Sequence, residues 1–256
     1  YALRKIRGPQ VVIALLPLVL LLFFADATTA TAAEGPPTDR IPTSAGPLDL
    51  TFLGHGTLML TFKDTVLHID PYSTVADYAA LPRADLILLT HDHADHLDEK
   101  ALALVRTPAT DIVLPPVCAD RVPGGLILKN GETRTVRGIT VTAVPAYNLV
   151  HHRDNGEPFH PRGVGNGYLL DFGDTRLYVA GDTENTPEMA ALKDVDIAFL
   201  PMNLPYTMTP EMVADAARSL RPRILYPYHY GDTDPQRLVE LLRDQADIEV
   251  RIRPMR

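Results

Sequence analysis

Three histidines and an aspartate lie within the short sequence His-Asp-His-Ala-Asp-His. They are His91, His93, Asp95 and His96, and only Thr90 separates them from the largely apolar run 85–89. Imidazole is a common ligand of zinc and a carboxylate adds a harder oxygen, so the cluster predicts a divalent metal site. The alternative is a solvated polar turn that is rich in histidine, which would need no partner donors elsewhere in the chain.

Two further donors follow other apolar runs. Asp182 comes just after the predicted strand 175–180, and its carboxylate could give one oxygen to each of two ions. His229 comes just after the predicted strand 224–228. Three strand ends would thus supply ligands to one rim of a rigid scaffold, which is where functional loops are usually found. The sequence therefore predicts a site for two metal ions.

Composition excludes some classes of partner. The chain has 256 residues, a formal net charge of −8 and one cysteine, Cys118. The acidic balance argues against a nucleic-acid partner, because phosphate contacts need a basic surface. A lone cysteine cannot form an intramolecular disulfide, so burial must stabilise the fold, with or without metal. The length suits a single domain with a substantial core.

The first residues have the layout of a secretory signal. Arg4, Lys5 and Arg7 form a positive start, 11–25 is apolar, and 30–33 consists of small residues that could be cleaved. We expect residues 1–33 to be a signal peptide and the protein to be exported, periplasmic or secreted. The alternative is a retained, membrane-anchoring segment. Residues 34–47 are proline-rich and predicted to be a flexible lead-in, which leaves 48–256 as the functional domain.

The elements that must position the donors are short strands interspersed with helices. Such a pattern indicates two sheets packed face to face, with helices on the outside, in an α+β fold. Pro210 and Pro235 suit the first turns of two of the helices. The predicted strands are 48–53, 57–62, 66–69, 86–90, 111–114, 135–144, 167–172, 175–180, 197–200 and 224–228, and the predicted helices are 98–105, 187–192, 210–220 and 235–245.

From about residue 48 to the last residue, the chain resembles the metallo-β-lactamase superfamily. The resemblance implies a four-layer αββα sandwich with a binuclear site between its two sheets. It assigns the His-x-His-x-Asp-His signature, the bridging carboxylate and the terminal histidine to His91, His93, Asp95, His96, Asp182 and His229. A further histidine is implied as the third ligand of the His91/His93 ion. His160, in Phe-His-Pro-Arg-Gly, is favoured, and His151 or His152 is the alternative.

Two segments resemble the opening strands of one branch of that superfamily, which includes the ascorbate-phosphate lactonase and the phospholipase-D-like hydrolases. They contain His55 and Asp70, which the resemblance places beneath the metals, where they would orient ligand imidazoles. For Asp70 a plain core or turn role is the alternative, because Asp-Pro often opens a turn. His68 is expected to be a satisfied or exposed histidine that binds no metal.

The expected chemistry is hydrolysis. Two divalent ions, Zn²⁺ first and Mn²⁺ or Fe²⁺ as alternatives, would generate a bridging hydroxide that attacks a small ester, lactone or phosphodiester. No protein nucleophile is then required, which fits the lack of a Gly-x-Ser-x-Gly motif. Asp95 and Asp182 are the predicted catalytic carboxylates, with Asp95 also a partner of the attacking water. Tyr206 and Tyr230, near the predicted rim, could donate a hydrogen bond to the substrate or an anion, although aromatic packing is the favoured role for at least one of them.

Other functions are weighed against this hydrolase. Within the superfamily, true β-lactamases lack a bridge like Asp182, RNA-processing members usually carry an insertion, and the flavodiiron branch generally has Glu where His93 stands. A non-catalytic, metal-dependent anion-binding protein is the alternative function. An interaction protein on the same fold would tolerate His91→Ala or Asp182→Ala. The expected partner is a small molecule, and membrane contact is expected only if the N-terminal segment is retained.

Overall fold

The computed structural model describes residues 1, 2, 8 and 35–256. The signal peptide predicted for residues 1–33 therefore lies almost wholly outside the described residues. Pro36–Arg256 forms one compact unit. Among the described residues, no helix combines the length and apolar character needed to cross a membrane.

The compact unit contains two seven-stranded sheets, each with its strands in sequence order. The first sheet consists of β1 (Thr38–Thr43), β2 (Gly46–Gly54), β3 (Thr57–Phe62), β4 (Thr65–Ile69), β5 (Leu86–Leu88), β6 (Asp111–Leu114) and β7 (Leu126–Ile127). The second consists of β8 (Thr133–Val136), β9 (Ile139–Ala146), β10 (Gly165–Phe172), β11 (Thr175–Val179), β12 (Ile197–Pro201), β13 (Ile224–Tyr228) and β14 (Glu249–Val250). The α-helices are α1 (Glu99–Val105), α2 (Pro187–Ala190), α3 (Pro210–Leu220) and α4 (Gln236–Leu241).

Alternating side chains in the strands create the layers. In β3, Leu58 and Leu60 belong to the large core shared with the second sheet, whereas Met59 belongs to a separate cluster with Leu102 and Val105 of α1. This is the period of two that a strand buried on both faces requires. Apolar residues of α2, α3 and α4 join the large core from the second sheet. The predicted α+β αββα sandwich is thus confirmed.

The helices begin where the sequence offers caps. Asp98 accepts hydrogen bonds from the backbone N–H groups of Lys100 and Ala101 at the start of α1. Thr209 caps α3 and is followed by Pro210, whose missing N–H costs nothing in the first turn. The predicted helix 235–245 is shorter in the structure and comprises only Gln236–Leu241.

The predicted flexible lead-in is wrong for its central part. Thr38–Thr43 forms the edge strand β1 and pairs antiparallel with β2, so the folded domain begins before residue 48. Ile41 is buried in the core, and the Arg40 side chain pairs with Asp49 across the two strands. Pro42 is compatible with this strand because an edge position leaves one row of N–H groups unpaired in any case.

Candidate metal centre

Strand ends at one edge of the sandwich carry the predicted ligands. His91, His93, Asp95 and His96 lie in the loop that joins β5 to α1. Asp182 follows β11, and His229 directly follows β13. His160 comes from the long loop between β9 and β10. The structure thus brings ligand candidates from four separate segments into one cluster.

Three non-glycine residues of this cluster region have a left-handed backbone. His55 in the β2–β3 turn has φ 52°, Asp70 after β4 has φ 45°, and His229 has φ 45°. The His229 N–H donates to the carbonyl oxygen of His55 at 3.0 Å, which ties two of these positions together. Such conformations cost free energy and are concentrated at functional sites, where the surrounding structure holds them in place.

The donors form two groups. The ligand atoms of His91, His93 and His160 lie within 4.8 Å of one another and constitute the first group. The second group consists of His55, Asp95, His96 and His229, by the same distance limit. The first group offers three nitrogen donors, and the second offers nitrogen donors and a carboxylate oxygen, which in each case is enough for a divalent ion.

Asp182 lies between the two groups. Its Oδ2 is 3.4 Å from His160 Nε2 in the first group and 3.6 Å from His229 Nε2 in the second, while its Oδ1 is 3.5 Å from His96 Nε2. One carboxylate thus contacts imidazoles of both groups, which is the position that a bridging ligand must occupy.

The donor atoms themselves fit a metal. Within the described chain, His91 Nε2, His160 Nε2 and Asp182 Oδ1 are buried and have no hydrogen-bond partner. A buried lone pair without a partner is costly, and a bound cation would compensate that cost. The three atoms belong to the cluster just described, so a common ion or pair of ions would satisfy them together.

Asp70 and Thr90 fix the rings of two of these histidines. Asp70 Oδ2 accepts from His96 Nδ1 at 2.7 Å and from the Thr90 hydroxyl at 2.5 Å. Because that hydroxyl donates to Asp70, its oxygen can accept from His91 Nδ1 at 3.0 Å. Both imidazoles then carry their proton on Nδ1 and present a free Nε2 lone pair to the cluster, as metal ligation requires.

Asn148 plays the same part for His160. Its Oδ1 accepts from the His160 ring Nδ1 at 2.9 Å and from the His160 backbone N–H at 2.7 Å. Asn148 is in turn held by Glu184, whose buried carboxylate also accepts the backbone N–H groups of Leu149, Val150 and His151. The segment of the β9–β10 loop that precedes His160 is therefore built around one buried acid.

The alternative third ligands lie elsewhere. The His151 ring Nδ1 contacts Glu184 Oε1 at 2.6 Å, and His152 is exposed, with its Nδ1 2.7 Å from the carbonyl of Val150. His160 is therefore the histidine of this loop that joins His91 and His93. Sequence reasoning did not find Thr90, Asn148 or Glu184. Only the two-residue spacing from Asp182 to Glu184 offered a signal.

The other predicted polar residues have varied surroundings. His55 Nε2 is 2.8 Å from Asp95 Oδ2, so its imidazole contacts a ligand carboxylate and also belongs to the second group. His68 is fully buried, and its Nε2 donates to the Pro82 carbonyl. The prediction that Tyr230 lies at the rim is wrong, because Tyr230 is buried and its hydroxyl donates to the Arg253 carbonyl.

Charges within the cluster oppose the effect of burial on the pKa values of His96 and Asp182. Burial by itself would lower the pKa of His96, but the carboxylates of Asp182 and Asp70 raise it to about 9. Burial would raise the pKa of Asp182, but nearby imidazoles, His229 first, hold it well below its usual range. Without a cation, the cluster therefore keeps its carboxylate ionised and takes up a proton. A metal ion would have to displace that proton.

Close packing leaves no room beside the second group. A Cβ atom at Gly56 would lie 2.9 Å from His96 Cε1 and 3.1 Å from His229 Cδ2. Both contacts are tighter than side chains normally make, and both rings are buried. Glycine at this position is thus a steric requirement of the cluster.

A cavity of ≈ 410 Å³ opens over both groups. Its volume suits a small organic molecule, and its polar groups converge on the metal donors at its base. Tyr206, which was predicted at the rim, lies in its lining. The lining residues are His93, Asp95, Arg153, Phe159, His160, Asp182, Asn203, Tyr206 and His229.

Comparison with known proteins defines the family. The model of the β-lactamase superfamily domain matches residues 49–229. The chain belongs to the metallo-β-lactamase superfamily. A UPF0173 metal-dependent hydrolase from Thermococcus onnurineus is 31% identical over 77% of this chain and 93% of that protein. A UPF0173 metal-dependent hydrolase from Methanoculleus marisnigri is 34% identical over 73% of this chain and 82% of that protein.

A solved structure gives a closer likeness than either of those sequences. A protein from Parabacteroides distasonis, assigned as a metal-dependent hydrolase, is 47% identical and has a TM-score of 0.83. The structural match covers 87% of this chain and 100% of that protein. Igni18, a metallo hydrolase from Ignicoccus hospitalis, shares the fold with a TM-score of 0.68 at 23% identity.

Proposed function

We propose that this protein is a metal-dependent hydrolase that uses two divalent metal ions, Zn²⁺ in the first place. The observation that carries the proposal is Asp182, whose two carboxylate oxygens face imidazoles of both donor groups. His91, His93 and His160 would hold one ion, and Asp95, His96 and His229 the other. The relatives are named metal-dependent hydrolases, which supports the hydrolase part of the proposal.

Divalent ions would supply a water molecule of lowered pKa and a Lewis acid for a substrate oxygen. The chain's own residues arrange the rest. Asp70, Thr90 and Asn148 hold the Nδ1 protons of His96, His91 and His160, so that the Nε2 atom of each ring is turned toward the cluster. Because these partners are fixed by packing, the centre needs little reorganisation during the reaction.

Asp95 is better suited to hold charge than to accept a proton. Burial would raise the pKa of its carboxyl, but the imidazoles of His229 and His55 lower it well below its usual range. Such a carboxylate stays ionised throughout the neutral range and is a weak general base. We therefore propose a ligand role for Asp95 and an electrostatic role toward the attacking water.

A protein nucleophile has no place in this chemistry. Cys118 is the only cysteine of the chain, and it is fully buried in the hydrophobic cluster that contains Leu102 and Val105 of α1. Burial raises the pKa of its thiol to about 12, so the reactive thiolate is absent near neutral pH. We propose that the substrate is a small ester, lactone or phosphodiester that the ≈ 410 Å³ cavity accepts.

Metal analysis combined with a substrate panel tests the proposal. We expect about two equivalents of metal per chain and metal-dependent turnover of at least one chromogenic ester, lactone or phosphodiester. His160→Ala should lose metal and activity. His152→Ala, a change in the same loop outside the cluster, should lose neither. Metal-loaded protein that binds an anion stoichiometrically but turns over no member of the panel would instead support the non-catalytic alternative.

We also propose that the protein is exported, on the pattern of residues 1–33 alone. Fractionation of cells that express the full sequence tests this. Recovery in the periplasm or medium supports export, recovery with the membrane supports a retained anchor, and cytoplasmic recovery contradicts both.

A further inference from the structure

The cavity over the metal centre contains one Lys or Arg side chain in its lining, Arg153. The other charged groups of the lining are the carboxylates of Asp95 and Asp182, and both contact imidazoles of the cluster. The protein as a whole carries a net charge of −8. The presence of the positively charged Arg153 side chain in this lining therefore suggests that it has a role in binding.

The backbone of Arg153 is held in a tight turn. Its N–H donates to the Glu157 carbonyl at 2.7 Å, and the Gly156 N–H donates to the Arg153 carbonyl at 2.9 Å. Immediately before the turn, the backbone N–H groups of residues 149–151 are all bound by the buried Glu184 carboxylate. The position of Arg153 relative to the metal donors is thus fixed by hydrogen bonds at both ends of the turn.

The guanidinium group lies against an aromatic ring. Its central carbon is 5.0 Å from the centre of the Phe159 ring, and that ring makes an edge contact with Tyr206 at 5.0 Å between centroids. The cation–π contact itself uses no hydrogen-bond donor of the guanidinium. Its Nη2 also makes a long hydrogen bond of 3.5 Å to the Phe159 carbonyl, which leaves the other N–H groups available. Arg153 makes no ion pair with any residue that the structure describes.

Arg162, on the same loop, provides the contrast. It also stacks on an aromatic ring, that of Tyr147 at 5.2 Å, but its Nη2 is 2.6 Å from Glu188 Oε1. Arg162 does not line the cavity. Both arginines therefore stack on an aromatic ring. Arg162 pairs with a carboxylate of the protein, whereas Arg153 lines the cavity and pairs with no carboxylate of the described residues.

We propose that Arg153 binds an oxyanion of the substrate, a carboxylate or a phosphate, that lies away from the bond to be cleaved. This rests on the proposed hydrolase function. The planar guanidinium can make two parallel hydrogen bonds to such a group. Phe159 and Tyr206 line the same cavity as Arg153 and the metal donors, so we infer that the part of the substrate beside them is apolar or aromatic.

Binding of three small probes to metal-loaded protein tests the subsite directly. Phenylacetate and phenylphosphonate carry the two candidate oxyanions, and phenylacetamide is the neutral match of phenylacetate. We expect Arg153→Gln to raise the Kd of at least one anion by about tenfold or more and to leave phenylacetamide unchanged. The anion that suffers the larger loss identifies the oxyanion. The Kd values of Arg153→Lys should lie between those of the wild type and Arg153→Gln, because lysine keeps the positive charge but cannot make two parallel hydrogen bonds.

Arg162→Gln is the matched control and should bind all three probes as the wild type does. Kinetics give a second readout where a substrate is found. With a chromogenic ester that carries a free carboxylate, Arg153→Gln should raise KM about tenfold with little change in kcat, because a remote group contributes uniform binding. The methyl ester of the same substrate should be hydrolysed equally by both proteins.

The outcomes separate this inference from the proposed function. Equal affinity of wild type and Arg153→Gln for both anions overturns the Arg153 subsite, as does an absence of anion binding by the wild type. Turnover that is insensitive to Arg153 keeps the hydrolase and overturns only the subsite. An Arg153-dependent loss of anion binding in a protein that hydrolyses nothing keeps the subsite and overturns the hydrolase.

Discussion

The two sheets of the sandwich are built to the same plan. In each, four strands pair antiparallel and the fourth begins a run of three parallel pairings. Strand β4 of the first sheet therefore corresponds to β11 of the second. An aspartate follows each: Asp70 comes directly after β4, and Asp182 lies three residues after the end of β11.

The two aspartates differ in what surrounds them. Both carboxylate oxygens of Asp70 are occupied, by Thr90 and by the far nitrogen of His96. Asp182 Oδ1 has no hydrogen-bond partner among residues 35–256 and faces the ligand nitrogens instead. Two extra residues, one of them Gly181 in a left-handed conformation, carry Asp182 beyond its strand. Asp70, directly after its strand, orients a ligand imidazole. Asp182, at the equivalent place in the second sheet but two residues further on, is available to a metal ion.

Asp182→Asn should have the largest effect of any change that tests this comparison. It preserves the shape of the side chain but removes the charge that contacts both donor groups. We expect the kcat/KM of whichever substrate the panel identifies to fall about a thousandfold or more, even with excess zinc. Metal analysis should also show fewer ions per chain. Wild-type activity and metal content in this variant would contradict a bridging role.

Asp70→Asn should act more mildly and in a way that metal can rescue. Its loss leaves His96 in place but frees the ring to rotate or change tautomer, which typically lowers metal affinity by about 10–100-fold. Titration with zinc in a competing chelator measures this. Near-normal turnover at saturating zinc would distinguish it from Asp182→Asn, whereas a defect that zinc cannot rescue would erase the distinction between the two aspartates.

The strands β4 and β11 also differ in a buried side chain, and this difference predicts that β4 makes the stability of the fold sensitive to acid. His68 of β4 corresponds to Tyr178 of β11, and both are fully buried. Desolvation lowers the pKa of His68 to about 4 from the 6.5 expected in the unfolded chain. The unfolded state therefore binds the proton first, so this stability is present above about pH 6.5 and is lost as pH falls toward about 4.

For His68 alone, the loss between about pH 7.5 and pH 5 is about 2 kcal/mol. Urea unfolding of metal-free wild type and His68→Leu at both pH values measures it, since the cluster titrates equally in both proteins. The wild type should lose about 2 kcal/mol more than the variant. Parallel losses in the two proteins would show that the buried imidazole is not the source.

The ion pair of Asp39 with Arg253 should affect stability without affecting chemistry. Asp39 of β1 accepts from Arg253 at 2.7 Å and from the Tyr226 hydroxyl of β13 at 2.6 Å. We expect Asp39→Asn to lower the free energy of unfolding by about 2 kcal/mol, because it leaves a half-buried arginine without its partner.

Asp49→Asn is the matched control on the neighbouring strand. Asp49 pairs only with the exposed Arg40 within the described structure. Its loss should cost about 0.5 kcal/mol. Chemical denaturation at saturating zinc measures both variants. Equal costs would mean that the contact between sheets contributes no more than a surface pair.

Sequence alone predicted the layers and most of the cluster, because every predicted ligand except His160 comes shortly after an apolar run whose direction fixes where the chain emerges. The assignment of His160 over His151 needed the structure. The positions of His151 and His160 in the sequence do not show which ring turns toward the cluster. Asn148 holds the ring of His160 and Glu184 holds the ring of His151, and the sequence does not reveal these contacts. Edge strand β1 was missed because prolines and glycines on either side of it indicated a loop.

The contact of Gly56 with two imidazoles means that the chain holds a built-in means of making a one-ion enzyme. A single methyl group there would push apart His96 and His229, which are proposed to share one ion, while leaving His91, His93 and His160 untouched. Natural or engineered descendants that replace this glycine would thus be expected to abandon paired-ion chemistry in one step, with the sandwich itself unchanged.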